Sequence, residues 1–138
     1  MLIKIVDDDQ VFVKKIKDIV YDNFKDIFLD YSIECITSNF EAQYFEKGDI
    51  FFLDIDLKEK NGIKIAEEIR ENNSNAIIIF VSAMNDMIFD SLIVQPFYFI
   101  RKDNFDRDMK IACTLIQKYI NKNHKIITFD FNGKKTAI

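Results

Sequence analysis

The chain has 138 residues, 49% hydrophobic and 30% charged, with a formal net charge of -4. That is ample for one globular core and short for two, and the acidic balance argues against nucleic acid as the direct partner of this segment. Cys35 and Cys113 have no CxxC spacing and no histidine nearby, so neither a disulfide framework nor a zinc site is supported and both read as small buried hydrophobes in a reducing compartment.

The opening "MLIKIVDDDQ" has no signal-peptide pattern, and the longest uninterrupted apolar run, 76–81, is far too short to span a bilayer. A soluble, cytoplasmic chain is expected. The first apolar run, 2–6, reads as a strand buried on both faces. Asp9 then caps a helix whose Phe12, Ile16, Ile19 and Val20 share a face. Residues 31–36, "YSIECI", alternate in period two and predict an edge strand. Ser38 and Glu41 form a capping box that predicts a second helix, closed by Gly48. A buried strand follows at 50–53, then a helix striped by Ile63, Ala66 and Ile69, then a strand at 76–81. Residues 85–93 predict a short fourth helix, 97–100 a fifth strand, and Phe105, Met109, Ala112, Ile116 and Tyr119 stripe a fifth helix. Five alternations of strand and helix imply a parallel α/β sheet with right-handed crossovers and helices on both faces.

After 122 the pattern changes. "KIITFDFNGKKTAI" holds two strand-like runs around Asn132-Gly133, a dipeptide suited to a type I′ turn. Residues 1–121 are therefore expected to form one domain, and 122–138 a linker and the first hairpin of a truncated C-terminal effector domain.

The polar residues fall in a pattern on this scaffold. Asp7 and Asp8 follow the first strand, Asp54 ends the third in "FFLDIDL", Ser82 ends the fourth in "IIIFVSA", and Lys102 ends the fifth in "FYFIRK". Taken singly, each has an ordinary reading as a cap, a turn former or a solvated lysine. Together they lie at carboxyl ends of parallel strands, the edge where open α/β sheets bind ligands. Met84 and Met87 read as packing, and His124, the only histidine, as a solvated linker residue. Three carboxylates within a few ångströms repel by several kcal/mol at intermediate effective dielectric, so a cation is wanted. Mg²⁺ suits an all-oxygen set and keeps waters that a phosphate can replace. A carboxylate beside it can attack phosphorus, with Lys102 and the Ser82 hydroxyl on the remaining oxygens.

In "IVDDD", "FFLDIDL", "VSA" and "FIRK" the sequence resembles the receiver domain of two-component response regulators, over residues 1 to about 121. The resemblance implies a flavodoxin-like (CheY-like) doubly wound sheet with strand order 2-1-3-4-5. It also implies roles: Asp54 as phosphoacceptor, with Asp7, Asp8, Asp54 and the main-chain carbonyl of Asp56 holding Mg²⁺. Ser82 would be the switch hydroxyl, Lys102 the phosphate partner and Phe99 the switch aromatic. Implied partners are a sensor histidine kinase and a second copy docking through the fourth helix, fifth strand and fifth helix. The sequence departs from many receivers in having Lys58 and Asp103 where they have proline, and Phe99 where tyrosine is frequent. "NGIKIAEEIR" and the trailing "KIITFDFNGKKTAI" look most like receivers that precede LytTR-type DNA-binding domains, so DNA would be reached only through the missing domain. Two other readings stand beside this one: a Mg²⁺-dependent phosphatase or nuclease using the DxD of Asp54 and Asp56, and a phosphorylation-independent interaction module of receiver fold.

Overall fold

The computed structural model describes residues 1–26 and 30–132, with side chains to residue 123. Met1–Phe105 form one compact unit around a five-stranded sheet: β1 (Leu2–Val6), β2 (Ser32–Ile36), β3 (Ile50–Leu53), β4 (Ile77–Ser82) and β5 (Tyr98–Arg101). All four pairings are parallel and the strand order is β2-β1-β3-β4-β5. β3 reads "IFFL" and every residue in it is buried, as a central strand covered on both faces requires.

Period two divides the buried side chains between the faces of the sheet. Phe51, Leu53, Ile78 and Phe80 form a core with Ile63, Ala66 and Ile69 of α2 (Gly62–Asn72). Ile5, Phe52, Ile79 and Val81 are buried on the opposite side, and α1 (Gln10–Phe24) buries Val13, Ile16, Val20 and Phe24. The Asp9 carboxylate accepts from Val11 N–H and starts α1, as its sequence predicts.

Three expectations change. Between β2 and β3 there is only a 3-10 turn, Ala42–Phe45, and Ser38 caps nothing in it. Asn39 takes a left-handed φ of 56°, incompatible with the first turn of a right-handed helix. The helix therefore cannot start at Ser38, and only the 3-10 turn forms before β3. As a consequence β2 stays largely uncovered and Cys35 is exposed, whereas Cys113 is buried as expected. The predicted fourth helix is likewise reduced to 3-10 turns flanking one turn of helix, α3 (Ile88–Ser91). Phe89 and Ile93 there are 81% and 71% exposed.

The unit Asp106–Ile138 carries α4 (Phe105–Asn132), in which Met109, Ala112 and Ile116 of the predicted stripe are buried. The first strand-like run of the expected hairpin is helical in α4, which continues to Asn132. Extending an existing helix fixes one residue per added hydrogen bond, whereas an isolated hairpin is marginal in water. The Asn132-Gly133 turn, the second run and the side chain of His124 lie outside the described residues.

Candidate phosphoryl-acceptor site

Each site residue is delivered by the end of a strand. Asp54 N–H bonds Val6 O at 2.9 Å and Asp7 N–H bonds Ile36 O at 3.1 Å, so the ladder continues one residue beyond β3 and β1 and fixes both acids at the carboxyl edge. Asp7 is wholly buried, Asp54 is 4% exposed, and Asp8 is half-buried beside them. Carboxylate oxygens of Asp7, Asp8 and Asp54 lie within 4.8 Å of one another.

Lys102 follows β5 and reaches back over this group. Its Nζ is 2.8 Å from Asp7 Oδ2 and donates to Asp54 Oδ2 at 3.1 Å. The ammonium also sits 4.6 Å from the centroid of the Phe12 ring, which packs edge-on against Phe105. Burial works against the Lys102 charge, but Asp7 and Asp54 outweigh it and its pKa rises.

Asp7 is the strained partner. Burial drives its pKa up from 3.8 to about 6; Lys102 and the Asp9 amide oppose the shift, while the Asp54 charge reinforces it. Its Oδ1 accepts from Asp9 N–H at 2.9 Å. Oδ2 has the Lys102 charge close by but no aligned hydrogen bond, so this oxygen has spare acceptor capacity. A buried carboxylate oxygen with acceptor capacity to spare among three acids, with no histidine or thiol in the set, fits a hard divalent cation such as Mg²⁺.

Above the acids lies a cavity of about 280 Å³, lined by Asp8, Asp54, Asp56, Lys58, Met84 and Lys102 among others. Ser82 lies at the same edge but is wholly buried, and its hydroxyl accepts from Met84 N–H at 3.1 Å in its own loop. Phe99 is half-buried against the α2 face of the core, 6.0 Å from Phe80 between ring centroids. Met84 and Met87 pack on the same core, as expected of them, although Met84 also lines the cavity.

The structure gives a part in the site to two residues to which sequence reasoning assigned no role. Gly62 opens α2 against the acceptor's own peptide: a Cβ there would collide with the Asp54 carbonyl and the Ile55 Cα. Its N–H bonds Ile55 O at 2.7 Å. The signal was present in "NGIKIA", where a glycine inside a helix start asks for a reason. Asp103 is the second. It takes a hydrogen bond from the Asn85 side chain at 3.2 Å and so joins the loops that carry Ser82 and Lys102.

Residues 3–126 match the response regulator receiver domain family. The chain belongs to that family. Receivers similar to this one are found among curated and solved proteins alike. The sensory transduction protein LytT of Bacillus subtilis (strain 168) is 30% identical over 100 residues, covering 72% of this chain and 40% of that protein. The chain spans between 40% and 51% of the length of the curated relatives it matches. The signal receiver domain of a DNA-binding response regulator protein from Colwellia psychrerythraea 34H superposes with a TM-score of 0.72 at 17% identity, over 88% of this chain and 98% of that one. The response regulator TrrA of Thermotoga maritima, solved in complex with Mg²⁺-BeF, superposes with a TM-score of 0.59 at 25% identity, over 83% and 97%. The flavodoxin-like, CheY-like fold expected from the sequence is the fold of this receiver.

Proposed function

We propose that this receiver takes a phosphoryl group from a sensor histidine kinase onto Asp54. The observation that carries the reading is the meeting of Asp7, Asp8 and Asp54 with Lys102 at one sheet edge, beneath an open cavity. Mg²⁺ would be held by Asp7, Asp8, Asp54 and the main-chain carbonyl of Asp56. When bound, it would offset the carboxylate charge and draw electron density from a phosphoryl oxygen.

The chain's own residues supply the rest. An Asp54 carboxylate oxygen attacks phosphorus, and the bond from phosphorus to the donor breaks with its electron pair leaving on the donor. Lys102 already donates to Asp54 Oδ2, so its ammonium is in place to follow that oxygen and accept charge from the transferred group. Ser82 exchanges its bond from Met84 N–H for one donated to a phosphoryl oxygen. That exchange pulls the 82–84 loop toward Asp54 and opens room beside Phe80 for Phe99 to turn inward. The exposed apolar side chains of Phe89, Leu92 and Ile93 are the part of the surface that responds, and a second copy is the partner they suit.

The protein catalyses only its own phosphorylation and dephosphorylation in this reading. Similarity to the LytT proteins supports a LytTR-type DNA-binding output domain, to which 122–138 would be the linker and opening, giving a cytoplasmic transcriptional switch. Among the described residues no helix is long and apolar enough to cross a membrane. Incubation with Mg²⁺ and acetyl phosphate tests the proposal by intact mass. One phosphoryl group per chain is expected, and continuous release of phosphate without a modified protein would overturn it.

A further inference from the structure

Lys58 stands where the loop after β3 turns over the acids. Glu59 N–H bonds Leu57 O at 2.6 Å, a three-residue turn with Lys58 at its centre and a φ of 63°. Such a turn is rare and strained for a residue with a side chain, and lysine, unlike glycine or asparagine, gains nothing from the left-handed region. Lys58 N–H also bonds Asp56 Oδ1 at 3.3 Å, which holds its backbone against the cavity.

The result is a lysine on the wall between the acidic cavity and a neighbouring groove of about 270 Å³. Its charge is available. Lys60 on the same loop is paired with Glu68 at 3.5 Å and bonded to Phe40 O, and Lys102 is committed to Asp7 and Asp54. Among the described residues the Lys58 ammonium has no carboxylate or carbonyl partner.

We propose that Lys58 is a donor-binding residue, whose ammonium receives the anionic phosphodonor at the mouth of the cavity. This rests on the reading of Asp54 as acceptor. A phosphodonor approaching Asp54 brings negative charge into a cavity walled by Asp8, Asp9, Asp54 and Asp56. The other cation on the cavity wall, Lys102, is half-buried and already paired with Asp7 and Asp54, so it has little charge left to offset that repulsion during entry. Lys58 sits at the rim, where an exposed ammonium acts on encounter more than on the transferred state.

The test compares Lys58→Asn, which tolerates the left-handed turn without charge, Lys58→Gly, which relieves the strain without charge, and Lys58→Arg, which keeps the charge. Phosphorylation rates with acetyl phosphate at saturating Mg²⁺ are followed across ionic strength, alongside Mg²⁺-beryllofluoride affinity. Both neutral variants should react about fivefold more slowly at low salt, with the difference shrinking as salt rises. Lys58→Arg should react like the wild type, and Mg²⁺ affinity should not fall in any variant. Wild-type rates with wild-type salt dependence in Lys58→Asn and Lys58→Gly would overturn the assignment. A wild-type chain that takes no label at all would instead remove the acceptor reading on which it rests.

Discussion

Asp7→Asn should make the metal-free protein more stable while removing its response to Mg²⁺. Burial and the neighbouring Asp54 charge raise the Asp7 pKa from 3.8 to about 6. Because the folded-state value is raised, the favourable contribution of protonated Asp7 is complete below about pH 3.8 and is lost as pH rises through about 6. At about 1.4 kcal/mol per tenfold change in proton affinity, holding Asp7 ionised costs roughly 2 kcal/mol at pH 5 and roughly 3 kcal/mol at pH 7.5. The asparagine variant escapes this cost, and Lys102 keeps Asp54 as a partner. Urea unfolding in EDTA should therefore show the variant ahead by about 3 kcal/mol at pH 7.5, with the gap narrowing toward pH 5. With Mg²⁺ at a hundredfold above its dissociation constant, the wild type should regain about 2.7 kcal/mol and the variant little. A variant no more stable than wild type in EDTA, or a gap that does not change between pH 5 and 7.5, would refute the electrostatic account of Asp7.

Gly62→Ala should cost about 2–4 kcal/mol in urea unfolding, because the new Cβ meets backbone that cannot rotate away, and acetyl phosphate labelling should slow as Asp54 is displaced. Arg70 donates to Val94 O at 2.8 Å and Gln95 O at 2.9 Å and also bonds Ala76 O, so Arg70→Ala should cost about 2–3 kcal/mol and speed amide exchange between 92 and 98. Among the switch variants, Ser82→Ala should weaken coupling without preventing phosphorylation, Lys102→Ala should impair transmission more severely, and Phe99→Ala should leave acceptance intact. NMR shifts on beryllofluoride binding check all three: a wild-type response at Phe89 and Ile93 in every variant would contradict this route.

The sheet and the acid edge were legible in the sequence because both depend on short-range pattern. Continuous apolar runs at 2–6 and 50–53 match β1 and β3 residue for residue, and the other strands moved by a single position at most ends. A strand end fixes where the next polar residue goes, so Asp7, Asp54 and Lys102 could be placed before their contacts were known. What failed was helix existence in crowded connections. Ser38 and Glu41 have capping-box spacing, yet the left-handed Asn39 between them turns the chain away. Residues 85–93 are apolar at helical spacing, but only one α turn forms there. Side-chain direction was also out of reach. Nothing in "VSAM" says that the Ser82 hydroxyl bonds its own loop, or in "DLKEK" that Lys58 faces the acids while Lys60 does not. Such choices are set by backbone dihedrals and partners distant in sequence.

The most direct test is the chemical location of the phosphoryl group. The chain is treated with acetyl phosphate and Mg²⁺, reduced with borohydride to trap an acyl phosphate, and mapped by peptide mass, with Asp54→Asn treated in parallel. Trapping at Asp54 in the wild type, and no label in the variant, is the predicted outcome. Undiminished labelling of Asp54→Asn, or trapping at Asp7, Asp8 or Asp56 in the wild type, would contradict the account.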